Sequence, residues 1–153
     1  MLHDTIKYVE LDYPYNKDFR PENSSDAVSK SAVELTKYLD KEALVAVTAS
    51  GYSAQTLSKY RPKQNIYAVS HSLKTHRRLN LVWGVRPLFI MPYAKNPTRL
   101  LYDFVKKLVD ENRVSMDKQF VVTMGASTGQ AKSTSLIRLL DEEGIKSVLS
   151  YEV

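Results

Sequence analysis

The sequence predicts a three-layer αβα domain: a mainly parallel sheet of roughly five strands, an antiparallel edge, and helices on both faces. Three observations predict it. Ala43–Val47 is a short, continuous, β-branched apolar run, as a strand buried on both faces requires, and further strand segments recur at Ile66–Val69, Val85–Met91 and Phe120–Met124. Stretches with helical spacing separate them, and such alternation implies right-handed βαβ units. The 153 residues, 43% hydrophobic and 25% charged, suit one globular domain with a real core.

The elements follow in chain order. Leu2, Ile6 and Val9 give Met1–Tyr13 the spacing of a short helix. The stretch from Pro14 to Pro21 is polar and bounded by prolines, which marks a linker. Residues 1–22 therefore stand apart from a domain at 23–153. A helix opens after Asn23-Ser24-Ser25, where a hydroxyl can cap it, and Val28, Ala32, Leu35 and Leu39 form an apolar stripe along it. Ala43–Val47 is the first strand, ended by Ser50-Gly51. A helix carries Ala54, Leu57 and Tyr60 up to Pro62, and Ile66–Val69 is the second strand. Ser72 caps a helix through Leu79 and Val82, with Gly84 as its stop. Val85–Met91 is the third strand. Asn96-Pro97 is a cap followed by a first-turn proline, starting a helix whose wide apolar face holds Leu100, Leu101, Phe104, Val105 and Leu108. Phe120–Met124 is the fourth strand. Ser135–Leu140 and Ile145–Val153 read as two final strands joined by a turn at Asp141–Gly144, adding antiparallel pairing at one edge.

Composition narrows the function. There is no cysteine, which removes disulfides, thiolate metal sites and cysteine nucleophiles. No apolar run approaches the ~20 residues of a membrane span, and no secretory signal opens the chain, so a cytoplasmic protein is expected. The net charge of +5 favours anionic partners. The densest basic stretch, Lys74, His76, Arg77 and Arg78, lacks interleaved aromatic residues and reads as a solvated face rather than a nucleic-acid surface. His3, His71 and His76 lack metal-ligand spacing, and no G-x-G-x-x-G fingerprint is present. No catalytic constellation emerges.

In open α/β sheets, ligands collect beyond the C-terminal ends of the strands. The first such end, Thr48-Ala49-Ser50-Gly51-Tyr52-Ser53, combines hydroxyls, a glycine and a helix start with free N–H groups. It reads equally as a phosphate-binding loop and as an ordinary capped turn. The second runs from Gly125 through Ser127, Thr128, Gly129 and Lys132 to Thr134. It fails the P-loop spacing, since Gly125 and Gly129 are separated by three residues and Lys132 follows Ala131. It reads as a flexible surface loop or as a phosphate-gripping lid with Lys132 as its charge. Trp83, before Gly84, is a packing residue or a stacking platform for a ligand.

The residues from Thr48 to Pro62, Thr-Ala-Ser-Gly-Tyr-Ser-Ala-Gln-Thr-Leu-Ser-Lys-Tyr-Arg-Pro, resemble the T-x-S-G-x-(ST)-A-x-x-(IL)-S-(KR)-(YF)-R-P stretch of pyruvate kinase C-terminal domains. Ile66–Val69 matches the strand that follows there. Leu79-Asn-Leu-Val-Trp-Gly-Val-Arg-Pro87 is similar to the family's L-x-L-x-W-G-V-x-P segment, and Ser25–Val28 to the region just after the catalytic barrel. The resemblance implies an α/β domain that binds a sugar phosphate or nucleotide monophosphate effector and makes subunit contacts in a homotetramer. It implies that Thr48, Ser50, Gly51, Tyr52 and Ser53 hold the effector's phosphate, and that the loop with Gly125, Ser127, Thr128, Gly129 and Lys132 closes over it. Catalysis in that family moves phosphate from phosphoenolpyruvate to ADP, with Mg and K ions, in a separate barrel. This chain would then need no cofactor of its own and would partner that barrel, Met1–Tyr13 being similar to the tail of its last helix. A stand-alone phosphate-ligand-binding protein of the same fold is the alternative. Two departures leave the effector open: Ala49 follows Thr48 where effector-regulated members often carry a polar residue, and the second loop lacks the family's Thr-Asn pair.

Overall fold

The computed structural model describes residues 19–39, 43–92, 94, 96–111, 119–125 and 133–151. The helix expected over Met1–Tyr13 and the first part of the linker lie outside them, as do Ser127, Thr128, Gly129 and Lys132 of the second loop.

Ten elements follow one another: α1 (Ser24–Tyr38), β1 (Ala43–Thr48), α2 (Tyr52–Lys59), β2 (Asn65–Ser70), α3 (Leu73–Leu79), β3 (Val85–Ile90), α4 (Pro97–Asp110), β4 (Phe120–Gly125), β5 (Thr134–Leu140) and α5 (Glu142–Ser150). The sheet order is β3-β2-β1-β4-β5. β1 to β4 run parallel, and β5 is antiparallel to β4. This is the expected architecture.

The two-residue period of the strands sorts the core into two layers. From β1, Ala43, Val45 and Val47 pack with Phe104, Leu100 and Leu108 of α4 and with Ile145 and Val148 of α5. Leu44 and Ala46 face the other way, onto Ala54, Leu57, Tyr60, Leu79, Ala32 and Val33 of α1 to α3 and the turn after α2. Every residue of β1 is buried, which explains the unbroken apolar run at the sheet's centre. Pro87, which cannot donate to a ladder, sits on edge strand β3, and the β2–β3 register shifts beside it, between Ala68 and Val69, as such a residue requires.

Four local readings need correction. The last element is a helix, not a strand. Asp141 caps it by accepting from the Gly144 N–H at 2.8 Å, Glu142 and Glu143 suit its positive end, and Ile145 and Val148 are its buried pair. The sheet therefore has five strands. At α1, Asn23 rather than a serine is the cap, accepting from the Asp26 N–H at 3.0 Å. The buried face of α1 is Ser25, Asp26, Ser29, Ala32, Val33 and Thr36, whereas Leu39 is 39% exposed and Val28 and Leu35 are half-buried. Small residues let the helix sit close over the sheet. Their hydroxyls are satisfied within the helix itself, Ser29 donating to the Ser25 carbonyl at 2.9 Å and Thr36 to that of Val33 at 2.7 Å. Finally, α3 ends at Leu79, and Gly84, at φ +64°, turns the chain into β3.

A buried charge network joins α1 to α2. Asp26 accepts from the Glu22 N–H at 2.9 Å, from Lys59 Nζ at 2.9 Å and from the Tyr60 hydroxyl at 2.8 Å. It fixes the end of α2 opposite the loop described next.

Candidate functional site

Strand order reverses at β1, with β2 and β3 laid to one side and β4 and β5 to the other. The C-terminal ends of the two strands flanking such a reversal frame a crevice. Here those ends are Thr48 and Gly125, so the two polar loops singled out in the sequence flank the same switch point.

The first loop is held from within and from α3. Thr48 Oγ1 accepts from the Gly51 N–H at 2.9 Å. Thr75 donates to the Ala49 carbonyl at 3.2 Å, and the Arg78 guanidinium donates to the Ser50 carbonyl. Gly51 takes φ +90°, where a Cβ would stand 3.2 Å from Leu79 Cδ2. It thus meets both a left-handed backbone and a close approach, which glycine alone tolerates without strain. The chain then enters α2 with no side chain capping its N-terminus. A helix start with uncapped N–H groups carries the positive end of the helix dipole, which favours negative charge.

The predicted residues divide by role. Thr48 shapes the loop. Ser50 is half-buried, and its hydroxyl has no partner among the described residues. Tyr52 contributes its backbone, because its phenol accepts from Asn23 Nδ2 at 3.2 Å on α1. Ser53 is buried, and its hydroxyl shares a 2.5 Å hydrogen bond with Thr134 Oγ1, tying the first loop to the start of β5 where the second loop ends. Gly125 closes β4.

Trp83 lies elsewhere. It precedes β3 at the N-terminal edge of the parallel strands, where the Arg61 guanidinium stacks 4.2 Å from its ring and its carbonyl accepts from Ser58 at 2.6 Å. The length of α2, roughly 12 Å for eight residues, separates it from the loop, so it cannot stack on a ligand held there. His71 Nδ1 pairs with the Met91 carbonyl at 3.1 Å, a structural contact. Sequence reasoning missed Thr75 and Arg78 as loop anchors. Arg78 sits in the basic stretch read as a solvated face, and nothing local in the sequence ties it to Ser50. Among the described residues, no three His, Asp or Glu side chains gather as metal ligands, and no helix is long and apolar enough to cross a membrane.

Fold and loop together define an α/β domain with a glycine-bearing polar loop at its switch point. Residues 26–140 match the family described as "Pyruvate kinase, alpha/beta domain", and the chain belongs to that family. It is 35% identical over 114 residues to the pyruvate kinase of Staphylococcus aureus (strain USA300) and 36% identical over 114 residues to that of Staphylococcus epidermidis. Each match covers 74% of this chain and 19% of the relative, so the chain spans about a fifth of the length of these relatives. A solved pyruvate kinase from Cryptosporidium parvum shares the fold at a TM-score of 0.66 and 18% identity, covering 91% of this chain and 26% of that one.

Proposed function

We propose that this domain is the regulatory and assembly part of a cytoplasmic, glycolytic pyruvate kinase, binding a phosphorylated effector and carrying no phosphotransfer of its own. Residues 23–153 form the domain, following a linker from the catalytic barrel. That barrel carries the reaction of phosphoenolpyruvate with ADP and its Mg and K ions. The observation that supports effector binding best is the uncapped start of α2 behind Gly51. In this reading its first-turn N–H groups and the Ser50 hydroxyl supply donors for a phosphate of a sugar phosphate or nucleotide monophosphate, with the helix dipole adding to them. The family resemblance gives the second loop, Gly125 to Thr134 with Lys132, the role of closing over it. Assembly uses β5, an edge strand with a neighbour on one side only among the described residues, whose Leu139 is 41% exposed. An unpaired apolar edge of this kind is a template for a second chain, here a second copy in a homo-oligomer.

The test is a thermal-shift screen of the chain against AMP, ribose 5-phosphate, fructose 1,6-bisphosphate, glucose 6-phosphate and 3-phosphoglycerate. A concentration-dependent rise in Tm with one of them, weakened in Ser50→Ala, is expected. A flat response to all five would remove the effector role.

A further inference from the structure

The layer of the sheet opposite α2 holds a second concavity. A cavity of about 320 Å3 opens between the first turn of α4, the end of α5 and strands β4 and β5. Its floor is Leu101, Met124 and Val148, none more than 7% exposed. Leu136 forms a wall at 40% exposure. Arg138 lies two residues further along β5, on the face that carries Leu140 into this core. Its guanidinium has no hydrogen bond, ion pair or ring contact among the described residues, unlike Arg61, Arg78 and Arg99.

An apolar cavity of this size with few placed polar groups has the anatomy of a small-molecule site, which runs to roughly 300–1,000 Å3. The guanidinium at its margin, unpaired among the described residues, sets the sign of the ligand. One planar fork of donors matches the two oxygens of a carboxylate, whereas a phosphate dianion needs several donors and gains nothing from the methyl-lined floor. We propose that this cavity binds a small amphiphilic carboxylate, its aliphatic or aromatic body against Leu101, Met124 and Val148 and its head group on Arg138. The inference is independent of the phosphate loop, which opens on the other layer.

Isothermal titration calorimetry of the full chain with octanoate and 3-phenylpropionate tests it, with octanamide and inorganic phosphate as controls. Saturable binding of the carboxylates is expected, and octanamide should bind much more weakly. Arg138→Met should weaken octanoate roughly tenfold to a hundredfold, the worth of charge-assisted hydrogen bonds. Leu136→Trp, at a partly exposed position, should block the cavity while circular dichroism shows the fold intact. Ser50→Ala should leave octanoate binding unchanged. Absence of saturation, equal binding of octanamide, unchanged affinity in Arg138→Met, or loss in Ser50→Ala would each overturn the assignment.

Discussion

Ser53 and Thr134, 81 residues apart in sequence, share a hydrogen bond of 2.5 Å between buried hydroxyls. It joins the first turn of α2 to the first residue of β5 across the switch point. Removing one partner leaves the other buried and unsatisfied, at a cost of about 1–3 kcal/mol. Ser53→Ala and Thr134→Val should each destabilise the domain by that order in urea titrations. The double variant should cost less than the sum, with a coupling energy of about 1 kcal/mol. Strict additivity would mean that the two hydroxyls act separately.

Gly51→Ala should destabilise by about 1–2 kcal/mol, because alanine must take φ +90° and such strain costs that much. It should also abolish the effector's thermal shift by moving the start of α2. Gly84, also at positive φ but with open space around it, is the control: Gly84→Ala should lower Tm and leave ligand binding intact.

Asp26 gives the stability its pH limits. Burial works to raise its pKa, but the Glu22 N–H, Lys59 and Tyr60 outweigh burial and hold the carboxyl below its ordinary value. The unfolded chain therefore takes up the proton first as pH falls. The contribution is complete above roughly pH 4 and fades as pH drops through the folded-state value. Hydrogen bonds from Lys59 to Asp26 and Glu22 raise the amine, and burial with the Asp26 contact raises Tyr60. Their share is complete below roughly pH 10 and fades above it. Urea titrations across pH should show this plateau, and Asp26→Asn should lower it by about 3 kcal/mol and flatten its acid limb. An unchanged acid limb would place the titration elsewhere.

If β5 is the assembly edge, Leu139→Lys should shift the sedimentation profile toward smaller species with little change in the monomer's own stability, since edge lysines oppose strand addition. An unaltered profile would move the interface off this strand.

The central strands were legible because burial on both faces demands the contiguous apolar runs of β1 and β4, and no surface element needs them. The turn from β1 into α2 was legible for a related reason: strand end, glycine and helix start are adjacent in sequence. What stayed hidden depended on distant partners. The α1 stripe of Val28, Leu35 and Leu39 obeyed helical spacing, yet close packing over the sheet selected the small residues Ser25, Ser29 and Ala32 instead. Ile145, Val148 and Tyr151 suit a strand by composition, and the deciding signal was the cap at Asp141 with two glutamates behind it. Arg78 and Thr75 could not be assigned to the loop, because their role exists only once β1 and β2 are parallel neighbours.

The loop after β1 is already braced by Thr48, Thr75 and Arg78 before a ligand arrives. Its conformational entropy is surrendered at folding, so an anion docking there has little left to order. Any slow phase in association should accordingly come from the second loop rather than from this one, and this loop's sensitivity should be sought in what strains its braces rather than in the ligand.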